Sequence, residues 1–270
     1  LVTKGDTAAD FLQVEFELAK VPAEGGLGLV QNVTAARSSF IRTELNDFLM
    51  ALEDEGVEPV AGRVETIVKA GPEEKPGELE RKVIMKSPAV VGGAAFKGDR
   101  LVGWLDETET RGLLWVLNKV KSGVVVVRLP GGQGGVVGLE LRGGRAKVSP
   151  ELRDGKVTMN IEIRTSANIG DLGDSQPPLD PRIDPALIPA LEERLAQAVK
   201  DEVSRALARA QVDLRSDIFG FGAAIHRSLP KEWHKLKGRW DEEFPRLEVN
   251  VKVKATILHP GRSARSVRPG

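Results

Sequence analysis

Residues 154–164 read Asp-Gly-Lys-Val-Thr-Met-Asn-Ile-Glu-Ile-Arg, and this stretch decides the class of fold. Its first two residues, Asp154 and Gly155, form a pair that is typical of a two-residue β-hairpin turn. Apolar residues then alternate with polar ones, which predicts a strand with one face on a core and the other in water. The apolar positions are Val157, Met159, Ile161 and Ile163. Because hairpin turns rather than helical crossovers link the strands, we expect an α+β protein.

The sequence on both sides of this hairpin predicts more strands and one long helix. Residues 184–212 carry apolar side chains with a period near 3.6, and Asp184 and Pro185 suit the first turn of such a helix. The other predicted strands are 124–129, 136–141 and 247–257, and shorter helices are predicted at 217–227 and 230–244. The C-terminal part is therefore expected to be a mostly antiparallel sheet covered by a long helix and shorter helices.

The N-terminal part is predicted to form a smaller domain of strands and helices, residues 1–121. A helix is expected to begin at Ser38 or Ser39 and to end at Gly56. Its predicted apolar face contains Phe40, Ile41, Leu45, Phe48, Leu49 and Leu52. Strands are predicted at 60–70, 82–96 and 101–105, with a tight turn at 97–100 and a helix at 108–118. The second domain then covers residues 122–260, and residues 261–270 form a basic, flexible tail.

Composition excludes several classes of function. The chain has 270 residues, with 39 Lys and Arg against 39 Asp and Glu, so its formal net charge is zero. No chain-wide basic field is available to hold a phosphate backbone, and nucleic acid is not the expected partner. The absence of cysteine excludes disulfides, thiol nucleophiles and cysteine-bound metals. Hydrophobic residues make up 41%, which is ordinary for a protein that buries a core.

The first residues of the chain do not have the pattern expected of a leader sequence. It opens with Leu1, Val2, Thr3, Lys4 and Gly5, without an initiator methionine or a charged segment before an apolar one. No apolar run reaches the roughly 20 residues that a membrane-spanning helix needs. We therefore expect an upstream segment to be missing, and with it any membrane anchor.

The sequence offers little material for catalysis or metal binding. The glycine-rich residues 131–135 precede a strand-like run rather than Lys-Ser/Thr and a helix, so a hairpin turn is favoured over a phosphate loop. The three histidines, His226, His234 and His259, lack the short spacing of zinc ligands. No cofactor or metal is therefore predicted, and the protein is not expected to be an enzyme.

Most carboxylate pairs lie in helical charge runs. Glu192-Glu193 and Asp201-Glu202 are interpreted as solvated faces of the long helix. The acidic residues 241–243 beside Trp240 have the composition of a sugar-binding cleft, but nothing fixes a second carboxylate opposite them. Solvated charge is again the favoured interpretation.

Two segments resemble a known family. Residues 93–115 read GAAFKGDRLVGWLDETETRGLLW, and residues 217–222 read DIFGFG. The second segment continues through His226-Arg227, PKEW at 230–233 and WDEEFP at 240–245 into a Val-x-Val-x-Val strand. In order and spacing both are similar to the signatures of the Ger(x)C family of spore germination lipoproteins. Departures are the glycine-rich 131–135 and the loop at 170–174, where family members commonly carry a glutamate.

The resemblance implies a function that composition does not reveal. Members of this family are non-catalytic subunits of germinant receptors in the spore inner membrane, and they are lipid-anchored beside two integral membrane subunits. The resemblance implies that this chain lacks the signal peptide, the lipid-modified cysteine and the first domain. Its implied partners are the membrane-embedded receptor subunits, with no cofactor. Two alternatives are a hydrolase acting on cortex peptidoglycan and a module that binds the small-molecule germinant.

The signature residues are candidates either for structural packing or for partner docking. We expect Gly220 and Gly222 to permit close packing or a positive φ, and Asp217 to cap the helix that follows. Trp233 and Trp240 are seven residues apart and are expected on one helical face. The full candidate set is Asp217, Phe219, Gly220, Phe221, Gly222, Pro230, Trp233, Trp240, Phe96, Gly103 and Trp104.

Overall fold

The computed structural model describes residues 1–5, 7–12, 25, 28–33, 38–70, 84–129, 135–172 and 185–258. These residues form two four-stranded sheets with helices between and upon them, which confirms the predicted α+β class. Residues 131–134 of the predicted turn, residues 173–174 of the predicted 170–174 loop, His259 and the predicted tail lie outside the described residues, whereas residues 170–172 belong to a strand and not to a loop. The proposed division at residues 121–123 stays a prediction.

The first sheet has the strand order β1-β2-β3-β4. Its strands are β1 (Val2–Thr3), β2 (Val60–Ala70), β3 (Ile84–Lys97) and β4 (Arg100–Leu105). Strand β1 is parallel to β2, and the remaining pairs are antiparallel. Helices α1 (Ala8–Leu12) and α2 (Leu45–Glu53) precede β2, and α3 (Glu107–Val116) follows β4. The side chain of Asp106 caps α3 in a capping box with Glu109.

The predicted start of the second helix is wrong. Helix α2 begins at Leu45, and Ser38 to Ile41 lie outside it. Phe40 instead forms an isolated bridge with Gly92 of β3, and both Phe40 and Ile41 are buried. Phe40 and Ile41 therefore pack against the sheet instead of forming part of the helix that the local sequence pattern predicts.

The second sheet has the strand order β5-β6-β7-β8. Its strands are β5 (Gly123–Arg128), β6 (Val136–Arg153), β7 (Lys156–Leu172) and β8 (Glu248–Ile257). The pairs β5-β6 and β6-β7 are antiparallel, and β8 is parallel to β7. Strand β6 continues twelve residues past its predicted end at 141. The register with β7 shifts between Leu141 and Gly144, and Gly143, with φ of +88°, allows the backbone to pass through this bulge and continue as a strand.

Helices cover the inner face of the second sheet. The long helix is α4 (Ile188–Ala208), and a π-helical turn, Arg209–Leu214, extends it. The shorter helices are α5 (Phe221–Ser228), α6 (Pro230–Leu236) and α7 (Trp240–Glu243). The predicted stripe of α4 is buried, including Leu191, Leu195, Val199 and Val203. One core cluster joins these side chains to Leu105 and Ala95 of the first sheet, so the apolar interior is continuous between the sheets.

Candidate functional site

Asp217 lies at the centre of the second signature segment and is almost completely buried. Its carboxylate accepts hydrogen bonds from the backbone N–H of Phe221 at 3.1 Å and of Gly222 at 2.8 Å, at the start of α5. The indole Nε1–H of Trp240 donates a third bond at 3.1 Å. The Asp217 side chain therefore satisfies the first N–H groups of α5, as a cap would, although Gly220 occupies the N-cap position, and it also connects α5 to α7.

The surroundings of Asp217 favour its neutral form. Burial raises the pKa of Asp217 to about 6, and the hydrogen bonds from Gly222, Phe221 and Trp240 offset part of that rise. These donors are neutral N–H groups, so they bind the carboxylate without supplying a full positive charge. Phe219 and Trp240, both under 10% exposed, separate this region from solvent. A carboxylate enclosed in this way is suited to holding structure.

Five aromatic rings pack against one another in this segment, one of them bonded to the Asp217 carboxylate, and we call them, with Asp217, the aromatic junction. The rings are Phe219, Phe221, Trp233, Trp240 and Phe244, and all are buried. Phe219 stacks on Phe221 with ring centroids 5.1 Å apart, and Trp233 meets Trp240 edge to face at 5.3 Å. Offset and edge-to-face geometries of this kind contribute beyond area burial alone.

The two tryptophans meet although they are not in one helix. Trp233 belongs to α6 and Trp240 begins α7, and a 3₁₀ turn, Lys237–Arg239, separates the helices. The prediction of a single helical face is therefore wrong in its local structure. The turn brings the rings together, since it redirects the chain between the two short helices.

Glycines allow the aromatic junction to approach the first sheet. A Cβ atom on Gly222 would lie 2.7 Å from the Trp233 ring and 2.8 Å from the Cα atom of Gly56. Gly220 has φ of +72°. The close packing and the positive φ that the sequence predicts at these two glycines are therefore both present.

Hydrogen bonds join the aromatic junction to the segment that enters β2. The N–H of Ala223 donates to the carbonyl of Gly56 at 2.8 Å, and the N–H of Glu58 donates to the carbonyl of Asp217 at 2.9 Å. The hydroxyl of Ser216 donates to the carbonyl of Phe96 at 2.6 Å. The start of the second signature segment is thereby bound to the first one, because Phe96 lies in the first segment near the end of β3.

The first signature segment contacts the π-helical turn. A Cβ atom on Gly103 would lie 2.5 Å from Leu214, and the Arg209 guanidinium donates to the carbonyl of Trp104 at 3.2 and 3.3 Å. The Trp104 ring is half-buried, with the Lys4 ammonium 5.8 Å from its centroid. A side chain at position 103 would therefore require the Leu214 side chain to move.

The exposure of the predicted residues separates them into three groups. Buried residues are Asp217, Phe219, Phe221, Gly222, Trp233 and Trp240, half-buried ones are Gly220, Phe96, Gly103 and Trp104, and Pro230 is exposed. Most of the signature thus lies inside the protein, where packing accounts for it. Its role in partner docking stays a prediction.

A second buried carboxylate contradicts the sequence interpretation. Glu202 of α4, placed on a solvated face, is 6% exposed and lies beneath α3. Its side chain forms a bidentate pair with the Arg111 guanidinium, and it accepts from Trp115 Nε1 at 2.9 Å. The missed signal is its spacing: Glu202 lies three residues after Val199, within the apolar stripe of the helix.

The described residues offer little for acid–base or metal chemistry. No group of three or more His, Asp or Glu side chains within them is arranged to hold a metal ion. Asp241 is exposed and forms an ion pair with Lys97 at 3.0 Å, while Trp233 and Trp240 are buried behind it. The tryptophan faces are therefore not available to stack on a sugar. No helix among these residues is both long and apolar enough to cross a membrane.

Comparison with known proteins gives a consistent set of relatives. The family model described as "Spore germination B3/GerAC like, C-terminal" matches residues 91–261. The chain is 23% identical over 259 residues to spore germination protein KC of Bacillus subtilis, covering 94% of this chain and 61% of that protein. It is 25% identical over 173 residues to spore germination protein YndF of the same organism, covering 64% of this chain and 41% of that protein.

One solved structure has the same fold. The crystal structure of the GerBC protein matches with a TM-score of 0.65 and 18% identity, covering 95% of this chain and 67% of that one. The putative spore germination protein YfkR of Bacillus subtilis is 27% identical, over 97% of this chain and 62% of that protein. The chain thus spans between 41% and 62% of the length of the curated relatives described here.

Proposed function

The chain belongs to the spore germination B3/GerAC-like family, and from this membership we propose that it is a non-catalytic subunit of a spore germinant receptor. The observation that carries the proposal is the match over residues 91–261, which contains both signature segments completely. In this proposal the full-length protein is held at the spore inner membrane by a lipid anchor. It contacts the membrane-embedded receptor subunits during nutrient-triggered germination.

The chemistry of the buried ionisable groups supports a contact role. The buried Asp217 carboxylate accepts from three N–H donors, and Glu202 is paired with Arg111. Both are arranged to hold helices together, and the signature then keeps the two sheets in a fixed relation while surface residues meet the partner.

The hydrolase alternative receives no support from the same region. A glycosidase needs two carboxylates on opposite sides of a cleft, about 5 to 10 Å apart, with aromatic faces open to the sugar. Here Trp233 is 2% exposed and Trp240 is 8% exposed. The idea that this subunit binds the small germinant stays a prediction, and calorimetry with amino acids and sugars tests it directly.

Deletion of the gene in the source organism tests the proposed role. We expect mutant spores to hold normal dipicolinate stores and to lose release of dipicolinate in response to one nutrient. Reintroduction of the wild-type gene restores the response, and a chemical trigger that bypasses nutrient receptors acts equally on both strains. Normal responses to every nutrient tested would contradict the proposal.

Two biochemical measurements test its finer parts. Cross-linking in spore membranes, followed by affinity purification of the full-length protein, is expected to recover the integral membrane subunits encoded with it. Incubation of the purified chain with cortex peptidoglycan is expected to release no soluble fragments. Release of muropeptides at a rate that depends on the chain would overturn the non-catalytic assignment.

A further inference from the structure

Strand β8 is an edge strand whose outer side is unpaired among the residues that the structure describes. It is the last strand of the second sheet and pairs only with β7. The ten residues of β8 include no proline, and the register with β7 runs without a bulge from Glu248 to Ile257. Long, regular edge strands of this kind are templates for pairing with another strand.

Hydrogen bonds at the end of β8 show which backbone groups point outward. The N–H of Leu258 donates to the carbonyl of Ala167 of β7 at 3.0 Å. The N–H of Ile257 points the other way and donates to Glu192 Oε1 at 2.9 Å. Because N–H directions alternate along a strand, the outward groups belong to the odd-numbered residues Val249, Val251 and Val253.

The free side of strand β6 is treated differently. Leu141 is the last residue of β6 that pairs with β5. Beyond it, the side-chain amide of Asn118 donates to the carbonyl of Ala146 at 3.0 Å and accepts from the Ala146 N–H at 2.6 Å. Pro150, further along β6, has no N–H to offer. Residues on this edge are thus blocked in two ways that β8 does not share.

The side chains of β8 have a self-complementary order. Its inward side chains Val249, Val251 and Val253 are half-buried, which leaves apolar surface at the edge. The outward face carries Glu248 and Asn250 before Val251, and Lys252 and Lys254 after it; all four are exposed. An antiparallel second copy reverses this order and therefore brings opposite charges together.

We propose that β8 pairs with β8 of a second copy of this chain, antiparallel, about a two-fold axis at Val251. In this register Glu248 lies opposite Lys254 of the second copy, and Asn250 lies opposite Lys252. The valines lie opposite valines, so the three outward-facing residues of each strand form about six backbone hydrogen bonds. The second sheet of one copy and the second sheet of the other then form one sheet of eight strands, and the same residues of both copies make the contact.

Neighbouring registers are less favourable. Moving the axis to Lys252 places that lysine opposite itself. Moving it to Asn250 keeps Glu248 opposite Lys252 but leaves Lys254 opposite position 246, which lies before β8 of the second copy. Like charges directly opposite each other destabilise a strand pair. The Glu192 contact at Ile257 also lies beyond the paired stretch, because residue 257 would face position 245, before β8 of the second copy begins.

Sedimentation equilibrium of charge variants tests the proposal. We expect the wild-type chain to form a concentration-dependent dimer. Glu248→Lys and Lys254→Glu should each weaken it about tenfold, since each creates two like-charge contacts across the axis. The double variant restores the wild-type dissociation constant, and an equimolar mixture of the two single variants forms a heterodimer of similar affinity.

Matched controls keep the result specific. Glu242→Lys makes the same charge change at an exposed position outside β8 and is expected to leave the dimer unchanged. A chain that stays monomeric at the highest attainable concentration would overturn the proposal. Equal weakening by Glu248→Lys and Glu242→Lys, or no recovery in the mixture, would overturn the register.

Cysteine cross-linking gives an independent readout, because residues 1–270 contain no cysteine. Positions 250 and 252 form a non-hydrogen-bonded pair in the proposed register, at a spacing of about 4.5 Å that suits a disulfide. A mixture of Asn250→Cys and Lys252→Cys chains is expected to oxidise to a covalent heterodimer faster than either chain alone. Equal rates for the mixture and for the separate chains would contradict the proposed pairing.

Discussion

Helix α2 and the aromatic junction are both rich in large apolar residues, and they differ in where those residues lie. In α2, Leu45 is 75% exposed and Met50 is 62% exposed, and no residue of the helix is buried. In the junction, Phe221 is 0% exposed and Trp233 is 2% exposed. The difference follows from Gly56, Gly220 and Gly222, which allow close backbone approach at the junction, and from Asp217, which satisfies its N–H groups. Apolar content alone therefore does not identify the elements that stabilise the fold.

The largest expected difference between the two regions is the effect of truncating a side chain. Phe221→Ala should lower the free energy of unfolding by about 4 kcal/mol, since it removes a fully buried ring and leaves a cavity. Leu45→Ala, the matched control in α2, should change it by less than about 0.5 kcal/mol. Urea denaturation followed by tryptophan fluorescence measures both. Similar losses for the two variants would remove the contrast.

The second-largest expected difference between the aromatic junction and α2 is the pH dependence of stability, which arises from Asp217. The folded protein holds the Asp217 proton up to a pKa of about 6, whereas the ordinary value is 3.8. The folded state thus binds more protons between these values, and stability falls as pH rises from about 4 to 6, by about 3 kcal/mol in total. Asp217→Asn removes this titration.

The measurement is the free energy of unfolding of wild type minus that of Asp217→Asn at several pH values. We expect this difference to decrease with rising pH and to level off above about 7. A difference that rises with pH would mean that the hydrogen bonds to the carboxylate outweigh its burial.

A smaller effect is expected from closing the space at Gly222. Gly222→Ala should destabilise by about 2 kcal/mol, because its Cβ atom would overlap Trp233 and Gly56. Gly238→Ala is the matched control, since a Cβ atom at Gly238 meets no atom within 4 Å. Thermal unfolding of the two variants tests the pair, and equal melting temperatures would show that the backbone at Gly222 yields without loss.

The smallest effect is expected in α2. Replacing Leu45 and Met50 together with glutamine, a good helix former, should change the free energy of unfolding by less than about 0.5 kcal/mol. Circular dichroism at increasing urea concentration checks this. A loss near that of Phe221→Ala would mean that the α2 side chains are covered in solution.

The parts of the fold that the sequence predicted are those that depend on local order. The alternation in β7 correctly placed Met159, Ile161 and Ile163 inside, and the helical period placed Leu191 and Leu195 there. Each pattern repeats over many residues, so neighbouring positions support the same assignment. Likewise, Gly220 and Gly222 were interpreted correctly because few other roles suit glycines inside an apolar motif.

The failures depend on residues that are distant in the sequence. Phe40 leaves the predicted helix because Gly92 of β3 offers it a place beside the sheet. Glu202 is buried because Arg111 and Trp115, 91 and 87 residues earlier, supply its hydrogen bonds. Glu202 was assigned to the solvated face because it is charged, although its position in the helix belongs to the apolar stripe. The residues next to it in the sequence do not reveal that Arg111 and Trp115 pack against it.

Asn118 carries a consequence for how this protein behaves when concentrated. Its side-chain amide occupies the backbone groups of Ala146 as a neighbouring strand would. A substitution there would uncover a stretch of β6 to any chain that collides with it. The expected damage is a loss of solubility, with insoluble fibrous material accumulating on storage while the remaining protein stays folded.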